Sequence, residues 1–255
     1  MNILPGIKIV DLALSAGNNL ILADTHIGYE EALNKQGVLV PRFQFKEIIQ
    51  RLEKIIKNKK FDKIIINGDI KHEFGTISEQ EWRHTLRLLD FLKQHCSEIV
   101  LIKGNHDTIL GPIANKRDVK VVDYYIINNG KNKYSKNPLK KIKDKKNILV
   151  VHGDKIDDKI LKIINKNKIK TIIIGHEHPA VMLKEGPRHE LYKAFLKGKW
   201  KKYDLIVQPS FNLVTEGTDI MKEKLLSPFL QQDLRNFEAY IVADKVYGFG
   251  KLRNL

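Results

Sequence analysis

The chain has a single cysteine, Cys96, in 255 residues. This excludes an intramolecular disulfide and leaves no thiolate cluster for zinc. No apolar run approaches the roughly 18 residues that would span a bilayer. The opening Met1-Asn2-Ile3-Leu4-Pro5-Gly6 has no basic segment followed by an apolar one, so no signal peptide is expected. The expectation is a soluble, cytoplasmic protein with no membrane partner. Tryptophan is scarce, and Trp82 and Trp200 read as packing anchors rather than base-stacking platforms. Acidic residues are in deficit: 30 Asp and Glu face 45 Lys and Arg, a formal charge of +15. Two readings of that excess stand open. One is a polyanionic partner such as nucleic acid; the other is a compositional bias in a chain also rich in isoleucine and asparagine. The densest basic stretch, Lys131 to Lys146, holds eight lysines around Asn137-Pro138. With Tyr134 as its lone aromatic, it reads as a solvated loop.

Histidine is not scarce. Six of the nine fall in five short segments: Asp24-Thr25-His26, Gly68-Asp69-Ile70-Lys71-His72, Gly104-Asn105-His106-Asp107, His152-Gly153-Asp154 and Gly175-His176-Glu177-His178. Each directly follows a short aliphatic run: Leu20-Ile21-Leu22-Ala23, Ile64-Ile65-Ile66-Asn67, Ile99-Val100-Leu101-Ile102, Ile148-Leu149-Val150-Val151 and Ile172-Ile173-Ile174. Such nearly continuous, β-branched runs are expected of strands buried on both faces. Sites in open α/β sheets form at the carboxyl ends of strands, and no core requires polar ligating residues at five strand ends at once.

Helical periodicity alternates with these strands. Phe43, Phe45, Ile48, Ile49, Leu52, Ile55 and Ile56 recur at helical spacing after Pro41. Ser78 and Glu81 form a capping-box pattern ahead of a helix through Leu86, Leu89 and Leu92. Asp157 to Lys168 gives a third helix. The strand–helix–strand order implies a mostly parallel central sheet. After Pro179 the pattern turns β-rich. Ala180 to Glu185 reads as a strand, and Leu191 to Leu196 with Tyr203 to Val207 as a hairpin turning at Gly198-Lys199. Ala239 to Val242 and Val246 to Phe249 read as two short strands. The fold class expected is α/β, two packed sheets flanked by helices. With no linker or repeat in view, residues 1–255 read as one domain.

The segments carry a ligand inventory. Asp24 and His26 are two apart, so a strict strand would point both to one face. Asp69 ends the next strand, where it could bridge two ions. Asn105 adds a neutral oxygen, and His152, His176 and His178 add imidazole nitrogens. That set suits two divalent ions of the manganese, iron or zinc kind, with about four protein ligands each. Gly68, Gly104, Gly153 and Gly175 sit where the chain turns off a strand end, which positive φ would explain. The competing reading for all seven ligands is polar capping of strand ends, which would have to be invoked five separate times. For His106 it is a structural hydrogen bond. For His72 it is an exposed helix-start residue. Glu177, between two ligands, is expected to point away from them, and Arg188 and His189 read as an exposed turn.

These five segments, in this order, resemble the calcineurin-like metallophosphoesterase superfamily, whose pattern is D-x-H, G-D, G-N-H-[DE], H, G-H-x-H. The resemblance implies a four-layer α/β/β/α sandwich of two mixed sheets. It also implies that Asp24, His26, Asp69 and His178 hold one metal while Asp69, Asn105, His152 and His176 hold the other. In that reading His106 is no ligand but faces the scissile phosphate and protonates the leaving oxygen or stabilises charge there. Asp107 orients His106 by accepting its other ring proton. A hydroxide bridging the ions attacks phosphorus in line, with no covalent intermediate. Ala23 to Glu30, Gly37 to Pro41 and Gln208-Pro209-Ser210-Phe211-Asn212 look like the ICC-like phosphoesterases, which include archaeal members and bacterial ligase-associated DNA-repair phosphoesterases. That group implies two Mn2+ ions, with Fe, Zn or Ni as other occupants. It implies a phosphodiester substrate in DNA, RNA or a nucleotide, and a repair helicase or ligase as partner. His72 ends Gly-Asp-x-x-His, as in double-strand-break nucleases of the superfamily, and is expected to contact substrate. Phosphomonoesterase or small cyclic-nucleotide phosphodiesterase activity is the alternative, and a non-catalytic metal-binding scaffold a second.

Overall fold

The structure, a computed structural model, describes residues 1–57, 59–128 and 147–255. The lysine-rich stretch Lys131 to Lys146 lies outside them. The first sheet has seven strands in chain order: β1 (Asn2–Leu4), β2 (Ile7–Val10), β3 (Ala13–Ala16), β4 (Asn19–Ala23), β5 (Phe61–Asn67), β6 (Cys96–Ile102) and β7 (Lys120–Val122). β4 to β7 are parallel, joined through α1 (Tyr29–Lys35), α2 (Gln44–Ile56), α3 (Glu79–Lys93) and α4 (Gly111–Lys116). β1 to β4 form an antiparallel meander. The parallel half is the one the apolar runs predict; the meander strands are three or four residues long, too short for alternation to register.

The second sheet contains β8 (Tyr124–Ile127), β9 (Asn147–Val151), β10 (Ile169–Ile174), β11 (Pro179–Glu185), β12 (Arg188–Trp200), β13 (Tyr203–Val207), β14 (Thr218–Asp219), β15 (Glu238–Val242) and β16 (Val246–Lys251). β9, β10 and β13 run parallel. β12 is long enough to serve three neighbours: Arg188 to Lys193 pair with β11, Leu196 to Trp200 with β13, and Ala194 to Lys197 with β15. The hairpin turn falls at Lys201 and Lys202, not at Gly198-Lys199 as the sequence suggests. Gly198 lies within the strand because the Phe237 ring occupies the space of a side chain, 2.5 Å from where a Cβ would sit.

Strand alternation shows how the layers stack. Ile148, Val150, Ile173, Phe195 and Ile206 face a core shared with the first sheet, α2 and α3. Their neighbours Leu149, Val151, Ile172, Ile174, Leu196 and Leu205 face a second core with Ile160 and Ile164 of α5 (Asp158–Lys166). The second sheet is therefore buried on both faces, and the order is helix, sheet, sheet, helix, as the α/β class predicts. Trp200 stacks with Tyr203 and packs on Phe229 in the second core, and Trp82 packs against the first, so both act as anchors. No helix of the described residues is long and apolar enough to cross a membrane.

Candidate metal centre

The carboxyl ends of β4, β5, β6, β9 and β10 meet along the seam between the sheets. Each then releases its polar segment. β4 ends at Ala23, so Asp24 and His26 are not strand residues and do not share a face through alternation. Instead Asp24 (φ 53°), His26 (φ 41°), Asp69 (φ 42°), His176 (φ 66°) and His178 (φ 50°) all take left-handed backbone. Nine non-glycine residues do so among those described, and five of them are candidate ligands. Such conformations cost roughly 1–3 kcal/mol each and persist only where surrounding structure enforces them.

The enforcement is visible as hydrogen bonds. His26 N–H donates to the Asp69 carbonyl at 2.9 Å, and Gly175 N–H to the His152 carbonyl at 2.8 Å, so strand-end loops are tied pairwise. The carboxylates are aimed by backbone as well. His176 N–H donates to Asp24 Oδ2 and His106 N–H to Asp69 Oδ1, both at 2.9 Å. Beyond them, buried Gln44 donates to the carbonyls of Thr25 and His26 and to Asn212 Oδ1. Buried Glu30 accepts from the Gln44 N–H and the Gln80 amide. Sequence reasoning missed Gln44 and Glu30, because a buried polar residue on an amphipathic helix looks like any other helix residue until its partners are known.

The glycines divide into two kinds. Gly68 and Gly153 have positive φ, as expected. Gly104 and Gly175 do not; they are needed for space. A Cβ at Gly104 would lie 2.1 Å from Asp69 Oδ1, and one at Gly175 would lie 2.5 Å from Asp24 Oδ2.

All seven candidate ligands converge. Asp24, His26 and His178 form one group, Asp69, His152 and His176 another, and His26, His72 and His106 a third, each with ligand atoms within 4.8 Å of one another. His26 Nε2 lies 3.2 Å from His178 Nε2, and His178 Nε2 lies 3.6 Å from Asp24 Oδ2. His152 Nε2 lies 2.9 Å from Asn105 Oδ1 and 3.3 Å from Asp69 Oδ2. Asp69 Oδ2 is also 3.8 Å from His26 Nε2, so this oxygen stands between the groups.

The electrostatics fit a cation. Asp24 Oδ1 and His26 Nδ1 are buried with no hydrogen-bond partner, an expensive state unless something else satisfies them. Burial opposes a charge on His152, yet the Asp69 hydrogen bond and the charges of Asp24 and Asp69 outweigh it and push the imidazole up to about 9. Burial likewise opposes ionisation of Asp69, but its bond to His152 and the nearby histidines hold it well below the usual carboxylate range. His26 is driven well below the usual imidazole value by burial and by His178. Asp69 is thus held ionised and His26 neutral, the forms that bind divalent metals, while the two carboxylates hold on His152 a proton that a bound cation would displace.

His106 and His72 adjoin this centre. His106 Nε2 lies 4.0 Å from Asp69 Oδ2, and its ring centroid lies 4.9 Å from that of His26. Its Nδ1 donates to the His72 carbonyl oxygen. The expected orienting contact from Asp107 is therefore corrected. Asp107 Oδ2 instead accepts from the N–H groups of Gly104 and Ile70, at 3.1 and 3.4 Å, tying the β5 and β6 loops. Strand-end geometry leaves the Asp107 carboxylate under the loop rather than beside the ring. Burial and the Asp69 charge raise it to about 7. His72 is not at a helix start, since α3 begins at Glu79. Its ring stacks on Tyr29 at 4.1 Å, and burial followed by the His106 charge lowers it to about 4.

Two further side chains complete the surroundings. Glu177 points away from the ligands yet is buried, and its Oε2 accepts from the N–H groups of Leu226 and Ser227. Lys193 of β12 donates to Ser210 Oγ at 2.8 Å, and burial lowers its ammonium to about 7. Arg188 and His189 are exposed, as expected, but they are the first residues of β12, paired with β11, and not part of the turn.

The sequence profile of the calcineurin-like phosphoesterases matches residues 19–180, which include every one of these strand-end segments. The chain belongs to the calcineurin-like phosphoesterase family. Members use divalent metals, and the two histidine–aspartate groups lie inside the matched region. No curated protein sequence matches the chain. Among solved structures, the Pseudomonas putida nuclease MPE is similar over 95% of this chain and 94% of its own, at 19% identity and a TM-score of 0.60. That likeness shows the shared fold. An Aquifex aeolicus protein of unknown function, AQ665, is similar over 63% of this chain and 78% of its own, at 22% identity and a TM-score of 0.41.

Proposed function

We propose that residues 1–255 form one two-metal phosphodiesterase domain that hydrolyses phosphodiester bonds in nucleic acid or nucleotides, with manganese as the working ion. The observation that carries this reading is the convergence of seven ligating side chains on one seam, with His106 beside them, clustered with His72 and His26. When bound, two such ions supply an activated water and neutralise phosphoryl oxygens. The chain's own residues do the rest. Asp24, His26 and His178 bind on one side, and Asn105, His152 and His176 on the other, with Asp69 shared. The His72 carbonyl fixes the Nδ1 proton of His106 and so leaves Nε2 to face substrate. As an imidazolium, His106 then gives its Nε2 proton to the departing oxygen and keeps the one on Nδ1. His72 contacts the substrate through its ring. The Pseudomonas putida fold neighbour is a nuclease, and that likeness and the +15 charge both support a polymeric anion over a small ester. A repair helicase or ligase as partner and a cytoplasmic site of action belong to the same reading.

The test is manganese-dependent hydrolysis of bis-p-nitrophenyl phosphate beside p-nitrophenyl phosphate. Diester turnover should fall about a hundredfold or more in His106→Ala and be lost in Asp69→Asn. Monoester turnover alone would replace the reading with a phosphatase. No turnover despite bound metal would replace it with a scaffold.

A further inference from the structure

Phe74 is the most exposed aromatic side chain among the described residues, at 59%. An apolar ring left in water forgoes about 1.5–3 kcal/mol that burial would give, so its position invites an explanation. It does not sit on a loose loop. Glu81 Oε1 accepts from the N–H groups of His72 and Glu73, at 2.9 and 2.6 Å. The ammonium of fully buried Lys71 donates to the Glu73 carbonyl. The backbone leading into Phe74 is thereby pinned to the N-terminus of α3.

One face of the ring is occupied. Its centroid lies 3.7 Å from that of His106, with the planes 34° apart. His106 in turn lies 5.4 Å from His72, which stacks on Tyr29. Four rings therefore run in a row along the centre, and the row ends in water at Phe74.

We infer that Phe74 is the stacking platform for the nucleobase on the leaving side of the scissile phosphate, so that the substrate is a strand whose base at that position is unpaired. The inference rests on the proposed phosphodiesterase reading. His106 faces the oxygen that departs, and that oxygen belongs to the sugar of the leaving nucleoside. The base attached to that sugar is one ribose-width further out, on the side where Phe74 stands. A flat π-face offers every base a partner without reading its edge, which makes stacking tolerant of sequence. A base inside a duplex already stacks on its neighbours and must first be extruded, whereas an unpaired base meets no such cost. A single ring is far too small to hold a folded protein partner, whose interface needs on the order of 1,000 Å².

The experiment uses a short single-stranded oligonucleotide carrying 2-aminopurine, whose fluorescence is quenched when it stacks. The full chain is titrated in EDTA, where no hydrolysis occurs, with wild-type, Phe74→Leu and Phe74→Trp proteins. Quenching is expected with wild type and Phe74→Trp and is expected to be lost with Phe74→Leu, which keeps apolar bulk but no ring. The same proteins are then assayed in manganese on oligonucleotides with a single abasic residue placed on either side of the cleaved linkage. Removing the leaving-side base should lower wild-type kcat/KM about tenfold and leave Phe74→Leu unchanged. Quenching equal in wild type and Phe74→Leu overturns the inference whatever the cleavage result. Ring-dependent quenching with no diester cleavage by wild type keeps the platform and overturns the hydrolase reading instead.

Discussion

Lys193 shows how much one residue's surroundings decide. A lysine in a strand would ordinarily lie at the surface with its ammonium in water. Here β12 aims it inward, toward Ser210, and burial lowers the group to about 7 against the attraction of Glu216. The consequence for stability has a definite sign. Between about pH 7 and the ordinary lysine value near 10.5, the unfolded chain carries this proton and the folded chain does not. Stability from this group therefore rises with pH through that window, and below it the full cost of desolvating the ammonium is present. Lys193→Met should raise the melting temperature by a few degrees at pH 6.5, on the scale of about 2–4 °C per kcal/mol. The gain should shrink steadily toward pH 10. Thermal melts of both proteins across that range decide it, and a gain that does not change with pH would show that the lysine keeps its ordinary proton affinity when folded.

Among the elements, α3 is the one whose sequence signature carried more than it revealed. Ser78 and Glu81 form the expected capping box: the Ser78 hydroxyl accepts from Glu81 N–H, and Glu81 accepts from Ser78 N–H. The same carboxylate also holds the backbone of His72 and Glu73, and so the carbonyl that orients His106. Ser78→Ala should cost about 1 kcal/mol, the usual value of a cap. Glu81→Ala strands several buried N–H groups at about 1–3 kcal/mol each, so its loss should be clearly larger and accompanied by a fall in kcat. Urea midpoints and diester turnover measure both. Equal costs with unchanged turnover would reduce Glu81 to a cap alone. This pattern marks what was legible in the chain. The candidate ligands were readable because each follows a buried strand run, and the capping box because its partners are three residues apart. The tether from Glu81 to His72 was not readable, since a contact across nine residues of loop leaves no periodicity. Nor was the true partner of Asp107: the motif says that a carboxylate follows His106, while the turn off β6 decides which way it points. The left-handed φ values of Asp24 and His26 were hidden for a related reason, because alternation describes strands and β4 stops one residue too early.

For the molecule as a whole, the centre joins the two sheets. Asp24, Asp69 and Asn105 come from loops of the first sheet; His152, His176 and His178 come from the second. Each ligand group mixes the two, since His178 meets Asp24 and His26, while His152 and His176 meet Asp69. A cation held there ties together layers that are otherwise joined by the apolar core and by hydrogen bonds such as His176 N–H to Asp24 Oδ2. It also takes over from the His152 proton the task of offsetting two buried carboxylates, Asp24 and Asp69. A ligand that binds the folded chain alone stabilises it by about 2.7 kcal/mol at a hundred times its dissociation constant. Manganese should therefore raise the melting temperature by about 5–10 °C, and EDTA should reverse the gain. Asp69→Asn should lose most of this response, because its oxygen stands between both groups. Gln44→Ala, which loosens the Thr25–His26 turn without touching a ligand atom, should keep the response but need more manganese to reach it. Differential scanning calorimetry over a manganese titration separates these cases. A wild-type melting temperature indifferent to manganese would mean that the seam is held by its hydrogen bonds alone.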